Sequence, residues 1–470
     1  MNSEHITSLS ATKIARLIAK GEISPIEITQ AYLDRIHALN PILNAYISVC
    51  GNKAVEAAKA SETKVRHGEP LGLLEGVPYG AKDQFLTEGI RTTAASTLLQ
   101  DYIPTRDATA ITRMRDAGAV LLGKHNMTEF ASGQGDPYKY GEPKNPWNLD
   151  RFTGSSSSGT GVAIAGGLCA AGLGEDTGGS GRCPASHCGV VGLRPTWGLV
   201  SRNGMLPISW SQDAVAPMTQ TVEDAALLLT AVGGYDPLDP LVSRAPQDYR
   251  RFLKSDLLGV RVGILSEYMS KDLCDAEVLQ AVRGAAATLG SLGAIVEEAS
   301  FPLMPLASVA SAIVTGASGA FVHRSSLRSS PAKYGPWLRR HLYAASLIPS
   351  HLLIKAERIR ALLRHKWSQL FSTYDVLIGP TMPTPPQIFP YWGPAENWTQ
   401  AEKQYSDPAN LTVAAAFFGT PALSLPCGFS SEQLPIGLQV FGGHFREDNI
   451  LKVGYAYQQH THWHLKRPPI

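Results

Sequence analysis

Residues 174–198 read GEDTGGSGRCPASHCGVVGLRPTWG. A single serine, Ser180, stands in a glycine-rich turn, and a β-branched run follows it. Glycine tolerates positive φ, so the N–H groups of Thr177, Gly178, Gly179 and Ser180 can converge beside the Ser180 hydroxyl. That pattern supplies a nucleophile and an oxyanion hole together. Amide cleavage also needs a base and a proton donor for the leaving amine.

Upstream, TGSSSSGTG at 153–161 sets four serines between glycines. Composition alone reads a flexible spacer there. Further upstream, GVPYGAKDQF at 76–85 places Lys82 at the end of a predicted strand, after the uncharged stretch GVPYGA. A lysine beside serines acts as a base only when neutral. Lowering its pKa from about 10.4 to roughly 7–8 corresponds to about 3–4 kcal/mol, and burial is the usual route. Asp83 opposes that shift unless it points away, as alternate strand residues do.

The rest of the chain sets the frame. At 470 residues it exceeds the usual size of a single core, yet no composition break divides it. One domain over 1–470 is expected, with N-terminal helices at about 6–65, a catalytic core at about 66–235 and a variable pocket region at about 300–395. Charged residues are 17% of the chain, and 42 basic side chains face 40 acidic ones, so no nucleic-acid footprint is visible. The first residues lack the basic-then-apolar pattern of a secretory signal. The small-apolar run GVAIAGGLCAAGLG (161–174) is too short to span a bilayer. Six cysteines without a CxxC pair suit reduced thiols of a cytoplasmic protein.

Helical spacing recurs on both sides of the GEISP break, with the second helix ending before Pro41, and again in NKAVEAAKASETKVRHG. Short β-branched runs then alternate with helix-like stretches, the pattern of an α/β layered fold. Residues 306–372 read as mostly helical, and 374–386 as a strand entering a proline-rich loop.

Several motifs fail on inspection. GAVLLGKH (118–125) lacks the hydroxyl of a phosphate loop, and its apolar spacer reads as a buried strand. GTGVAI (159–164) lacks the third glycine of a dinucleotide fingerprint. HTHWH (460–464) has no matching ligand cluster and reads as a surface tail. No GxSxG elbow is present around Ser180, because Arg182 stands at the last glycine.

The three segments together resemble the amidase signature family, whose members hydrolyse amides with a Ser–Ser–Lys triad. Lys82 stands in a G-[IV]-P-x-x-x-K-D context, Ser156 in a GGSSGG-like run, and Ser180 in DTGGSxRxPA. GKHNMTEFASG, NPWNLDRFTGSSSSG, SQDAVAPMTQTVEDAALLL and PIGLQVFG agree in register. The resemblance runs from about residue 6 to 464 and is weakest between 240 and 370. It implies an α/β fold with a large mixed β-sheet covered on both faces by α-helices. It also implies that Ser180 carries the acyl group, and that Ser156, after a cis peptide bond, bridges Ser180 to neutral Lys82. Ser157 is implied to hydrogen-bond near Lys82 in a supporting role, Asp176 and Arg182 pair to hold the turn, and no cofactor or metal is implied. Ser158 and Gly181 depart from the family: Ser158 stands at a common glycine position, and Gly181 replaces a β-branched residue and is expected to loosen the turn. His187, often phenylalanine, is expected in the core.

For the substrate, the resemblance implies pocket-lining backbone from Phe130, Ala131, Ser132 and Gly133. Trp337, Tyr343, Phe389, Tyr391 and Trp392 suit an apolar or aryl substrate and serve a core equally well. The leading expectation is a stand-alone amidase on small apolar or aryl amides, with ester and carbamate (urethane) side activity. It would work as a monomer or homodimer, with no nucleic-acid or membrane partner. A glutamine amidotransferase A-type subunit, active with a partner in tRNA-dependent amidation, ranks second. MLPISWSQDAVAP (205–217) resembles independent amidases more than that subunit. A non-catalytic binding protein on the same scaffold is third.

Overall fold

A computed structural model describes residues 6–132, 136, 138–242, 244–388 and 410–470. The N-terminal helices are α1 (Ala11–Ala19), α2 (Pro25–Leu43) and α3 (Gly51–His67). Ser10 and Ser24 cap the first two, their hydroxyls accepting N–H groups of the first turn, and Pro25 opens α2 where its missing N–H costs nothing. The sequence expectation ended α2 before Pro41; the helix continues to Leu43. Pro41 falls in the last turn, where it removes a single hydrogen bond, and Asn44 then closes the helix in the left-handed conformation.

Eleven strands follow in chain order: β1 (Tyr46–Val49), β2 (Pro78–Lys82), β3 (Val120–His125), β4 (Ala171–Glu175), β5 (Val191–Arg194), β6 (Val215–Thr219), β7 (Arg261–Leu265), β8 (Ile295–Ala299), β9 (Val376–Pro380), β10 (Ala422–Phe429) and β11 (Pro435–Gly442). They form one mixed sheet in the order β1-β3-β2-β4-β6-β5-β10-β11-β9-β7-β8. β2 runs parallel to both β3 and β4, and β10–β11 is an antiparallel hairpin. The inner strands β2, β4, β5, β6, β9 and β11 are buried along their whole length, as strands covered on both faces must be.

The remaining helices cover the sheet: α4 (Thr109–Asp116), α5 (Ser158–Ala165), α6 (Arg182–Cys188), α7 (Val222–Val232), α8 (Ala276–Ser291), α9 (Pro305–Ser329), α10 (Pro336–Ala345), α11 (Ser350–Leu370), α12 (Val413–Phe418) and α13 (Glu447–Gln459). The apolar run 161–174 divides between the end of α5 and the start of β4. GKH lies in β3 and GTGVAI in α5, so neither forms a phosphate loop. α9 is by length and composition apolar enough to cross a membrane, which the sequence reading did not single out; it packs against α10, α11 and α12. In the HTHWH tail His460 and His462 are exposed as expected, but its last residue is not. His464 is buried, its carbonyl accepts from Gln220, and Arg467 reaches the Ser8 carbonyl.

Two features of this topology place the site. β2 and β4 are parallel neighbours inside the sheet, so Lys82 and Glu175 stand side by side at the C-terminal ends of their strands. β4 then runs directly into the turn of Ser180, and α6 starts after it.

Candidate active site

The serine run is fully built into the protein. Ser156, Ser157 and Ser158 are buried, the Ser155–Ser156 peptide is cis, and Ser158 opens α5. The Ser157 N–H donates to the Ser180 carbonyl (3.2 Å), which seats the run against the Ser180 turn. Lys82 Nζ donates to Ser156 Oγ at 2.7 Å. Among the described residues the Ser180 hydroxyl makes no hydrogen bond within the protein, so the Lys82–Ser156 half of the expected relay is formed here and the Ser156–Ser180 half is not. Ser157 supports differently from expectation: its hydroxyl donates to the Glu175 carbonyl (3.0 Å) and accepts the Glu175 N–H (3.2 Å), pinning the run to β4 rather than to Lys82.

Lys82 is not in the uncharged surroundings its flanks suggest. Its Nζ also lies 2.9 Å from Glu175 Oε2, and both side chains are 0% exposed. Burial lowers the Lys82 pKa from 10.5, while Glu175, Asp176 and Asp213 oppose the shift. Asp83 does point away, as strand alternation requires. Its carboxylate accepts the Thr93 N–H (2.8 Å) and lies 3.6 Å from Lys124.

The turn itself is held by Asp176. Arg182 grips the carboxylate twice, Nε to Oδ2 at 2.9 Å and Nη2 to Oδ1 at 2.8 Å, and Arg194 adds a third contact at 3.2 Å. The N–H groups of Gly179 (3.0 Å) and Gly181 (3.3 Å) also donate to it. Burial works against the anion, but Arg182 and Arg194 hold Asp176 well below the usual carboxylate range. Asp176→Asn would leave two buried guanidiniums without a counter-charge. A loss of about 3–5 kcal/mol is expected, read as a lowered midpoint in denaturant.

The same bond removes Gly179 from the expected oxyanion set. Its N–H is committed to Asp176, whereas those of Thr177, Gly178 and Ser180 make no hydrogen bond among the described residues. Gly179 is required for another reason: φ is +130°, and a Cβ there would lie 2.0 Å from Thr412 Oγ1. Thr412, absent from the sequence reading, donates to the Gly178 carbonyl (2.7 Å) and so turns that peptide. Gln212 donates to the Thr177 carbonyl (3.2 Å) from the other side. Gly181 does not loosen the turn. A Cβ there would stand 2.7 Å from Ala216 Cβ, so the missing side chain lets β6 close on it.

The other expected residues distribute as follows. Phe130 and Ala131 have positive φ and are buried in small apolar clusters, Phe130 against His323 and Tyr334, while Ser132 is half-buried. No hydrogen bond joins them to Ser180 among the described residues. Gly133, Phe389, Tyr391 and Trp392 lie outside the described residues. Trp337 is core and stacks on His341, whereas Tyr343 is exposed. His187 is buried beside Phe152, and burial pushes its pKa down to about 4.

Glu175, Asp213, Gln212 and Thr412 were missed. Glu175 alone carried a signal, as a second carboxylate beside Asp176 at the end of a small-residue run. The others reach the turn from distant segments.

A strand-end lysine hydrogen-bonded to a serine, beside a glycine turn with free N–H groups, has the parts of an amide-cleaving site. The comparisons agree. The family model Amidase matches residues 27–451, and the chain belongs to that family. It is similar to the A subunit of the glutamyl-tRNA(Gln) amidotransferase of Nostoc punctiforme, 38% identical over 98% of this chain and 99% of that one. Among solved structures it is similar to 6-aminohexanoate cyclic dimer hydrolase in complex with substrate, with a TM-score of 0.89 and 29% identity over 98% and 99% of the two chains. A further match is a vestigial protein complex bearing on the origins of an s-triazine catabolic enzyme, with a TM-score of 0.88 and 32% identity over 96% and 98%. The protein is an amide hydrolase of this family, with its mixed sheet and helical cover.

Proposed function

We propose that the chain is the amide-hydrolysing subunit of a glutamine-dependent amidotransferase, releasing ammonia from glutamine for a partner that amidates an aminoacyl-tRNA. The end-to-end similarity to the Nostoc protein carries this reading, and it reverses the order expected from sequence. In the chemistry, neutral Lys82 takes the Ser180 proton through Ser156 as Ser180 attacks the carboxamide carbon. The N–H groups of Thr177, Gly178 and Ser180 receive the oxyanion, and the proton returns to the leaving ammonia. Water then releases the acyl group by the same path. Six free thiols suit a reducing, cytoplasmic compartment.

The test is ammonia release from glutamine by the chain alone and with any protein that copurifies under native co-expression. Glutamine turnover that rises with the copurified protein supports the reading. Its absence in both preparations, alongside turnover of anilides, aliphatic amides, carbamates or esters, overturns it.

A second reading, a stand-alone hydrolase of small apolar or aryl amides with ester and carbamate side activity, is favoured by one observation. The 6-aminohexanoate cyclic dimer hydrolase superimposes over nearly the whole chain. The apolar setting of Phe130, with Leu327, Tyr334 and Trp337, is compatible with it.

A further inference from the structure

Glu175 touches Lys82 and has no part in the steps above. Its second oxygen is linked to another buried acid through the Thr177 hydroxyl. The Thr177 hydroxyl lies against Glu175 Oε1 and, at 2.7 Å, against Asp213 Oδ1. A hydroxyl carries one proton and donates it once, so the second contact needs a proton brought by a carboxyl group. Thr177, Glu175 and Asp213 are all buried. Asp213 is oriented by the N–H groups of Ile208 on Oδ2 and Ser209 on Oδ1, both at 2.9 Å. Burial and the neighbouring Glu175 push its carboxyl up to about 7.

We propose that Glu175 is a positioning residue that sets the proton affinity of Lys82, and that Asp213 controls Glu175 through one proton shared across Thr177. With that proton on Asp213, Thr177 donates to Glu175, and Glu175 Oε2 holds the Lys82 ammonium. When Lys82 loses its proton to solvent, the shared proton moves from Asp213 to Thr177 Oγ1 as the Thr177 proton moves to Glu175 Oε1. The negative charge then rests on Asp213, facing two backbone N–H groups, instead of beside a neutral amine. No proton is gained or lost by the acid pair. Other charges nearby are engaged: Asp176 by Arg182 and Arg194, and Asp83 by Thr93 and Lys124.

This inference rests on Lys82 being the base for Ser180, and the test separates the two. The rate of Ser180 labelling by a fluorophosphonate is measured against pH, which needs no knowledge of the substrate. Glu175→Gln removes the anion beside Lys82, so the alkaline-rising limb is expected to move to lower pH by about one unit or more. Asp213→Asn and Thr177→Val strand the charge on Glu175, so their limbs are expected to move to higher pH. A purely structural role would lower the plateau without moving the limb. If Glu175→Gln does not fold, an upward shift in both other variants still carries the proposal. Limbs that coincide with wild type, or that all move one way with Glu175→Gln folded, overturn it. Lys82→Ala labelled at the wild-type rate would instead sink the role of Lys82 itself.

Discussion

Ser180→Ala is expected to abolish turnover, with a loss on the order of 10⁶-fold in kcat, and to abolish fluorophosphonate labelling. Among the described residues the Ser180 hydroxyl makes no hydrogen bond within the protein, and Ser180 is buried at 8% exposure. The carbonyl below it is tied to Ser157 and the turn is clamped by Asp176, so removing Oγ leaves the scaffold intact. An unchanged melting temperature with no labelling therefore separates lost chemistry from lost fold. Labelling that survives in Ser180→Ala places the nucleophile elsewhere.

Lys82→Ala is expected to lower kcat/KM by about 10²- to 10⁴-fold, the usual worth of a positioned base. It should also destabilise, because the Glu175–Asp213 pair keeps its one negative charge buried without a cation; breaking such a pair costs about 3–5 kcal/mol. The double variant Lys82→Ala/Glu175→Gln discriminates between the two losses: stability should return while the rate does not. Rate recovery in the double variant would contradict a base role. In the wild-type enzyme kcat/KM should rise with pH as Lys82 becomes neutral and then level off. The stability term has the same sign. The folded Lys82 gives up its proton below the unfolded value of 10.5, so the unfolded chain binds more protons between the two pKa values. Stability from this group is lowest in acid and grows as pH rises through that window. A rate that falls over the same range would require a different proton acceptor.

Much of this site was legible because its parts are local. GGS marks a turn that only glycine can make, at φ +130° and with Thr412 within 2.0 Å of a would-be Cβ, and short motifs singled out Lys82, Ser156 and Ser180 as candidates. Asp176 and Arg182 pair as the family resemblance implied, six residues apart across one turn. The electrostatic setting of Lys82 was not legible. The GVPYGA stretch before it is uncharged, and Glu175 arrives from another strand, 93 residues away in sequence. Burial misled in the same way at His464, a polar residue near the end of the sequence that read as surface and packs inside.

The sequence by itself determined the alternating strands and helices, the family, and which serine stands in the glycine turn, because these depend on residue type and short-range geometry. Only the tertiary structure decided what surrounds those residues. Placing β2 beside β4 brings a carboxylate against the candidate base, and β6 closes on Gly181. A proton's energy in a buried site depends on charges contributed by distant segments, and their convergence is fixed by packing.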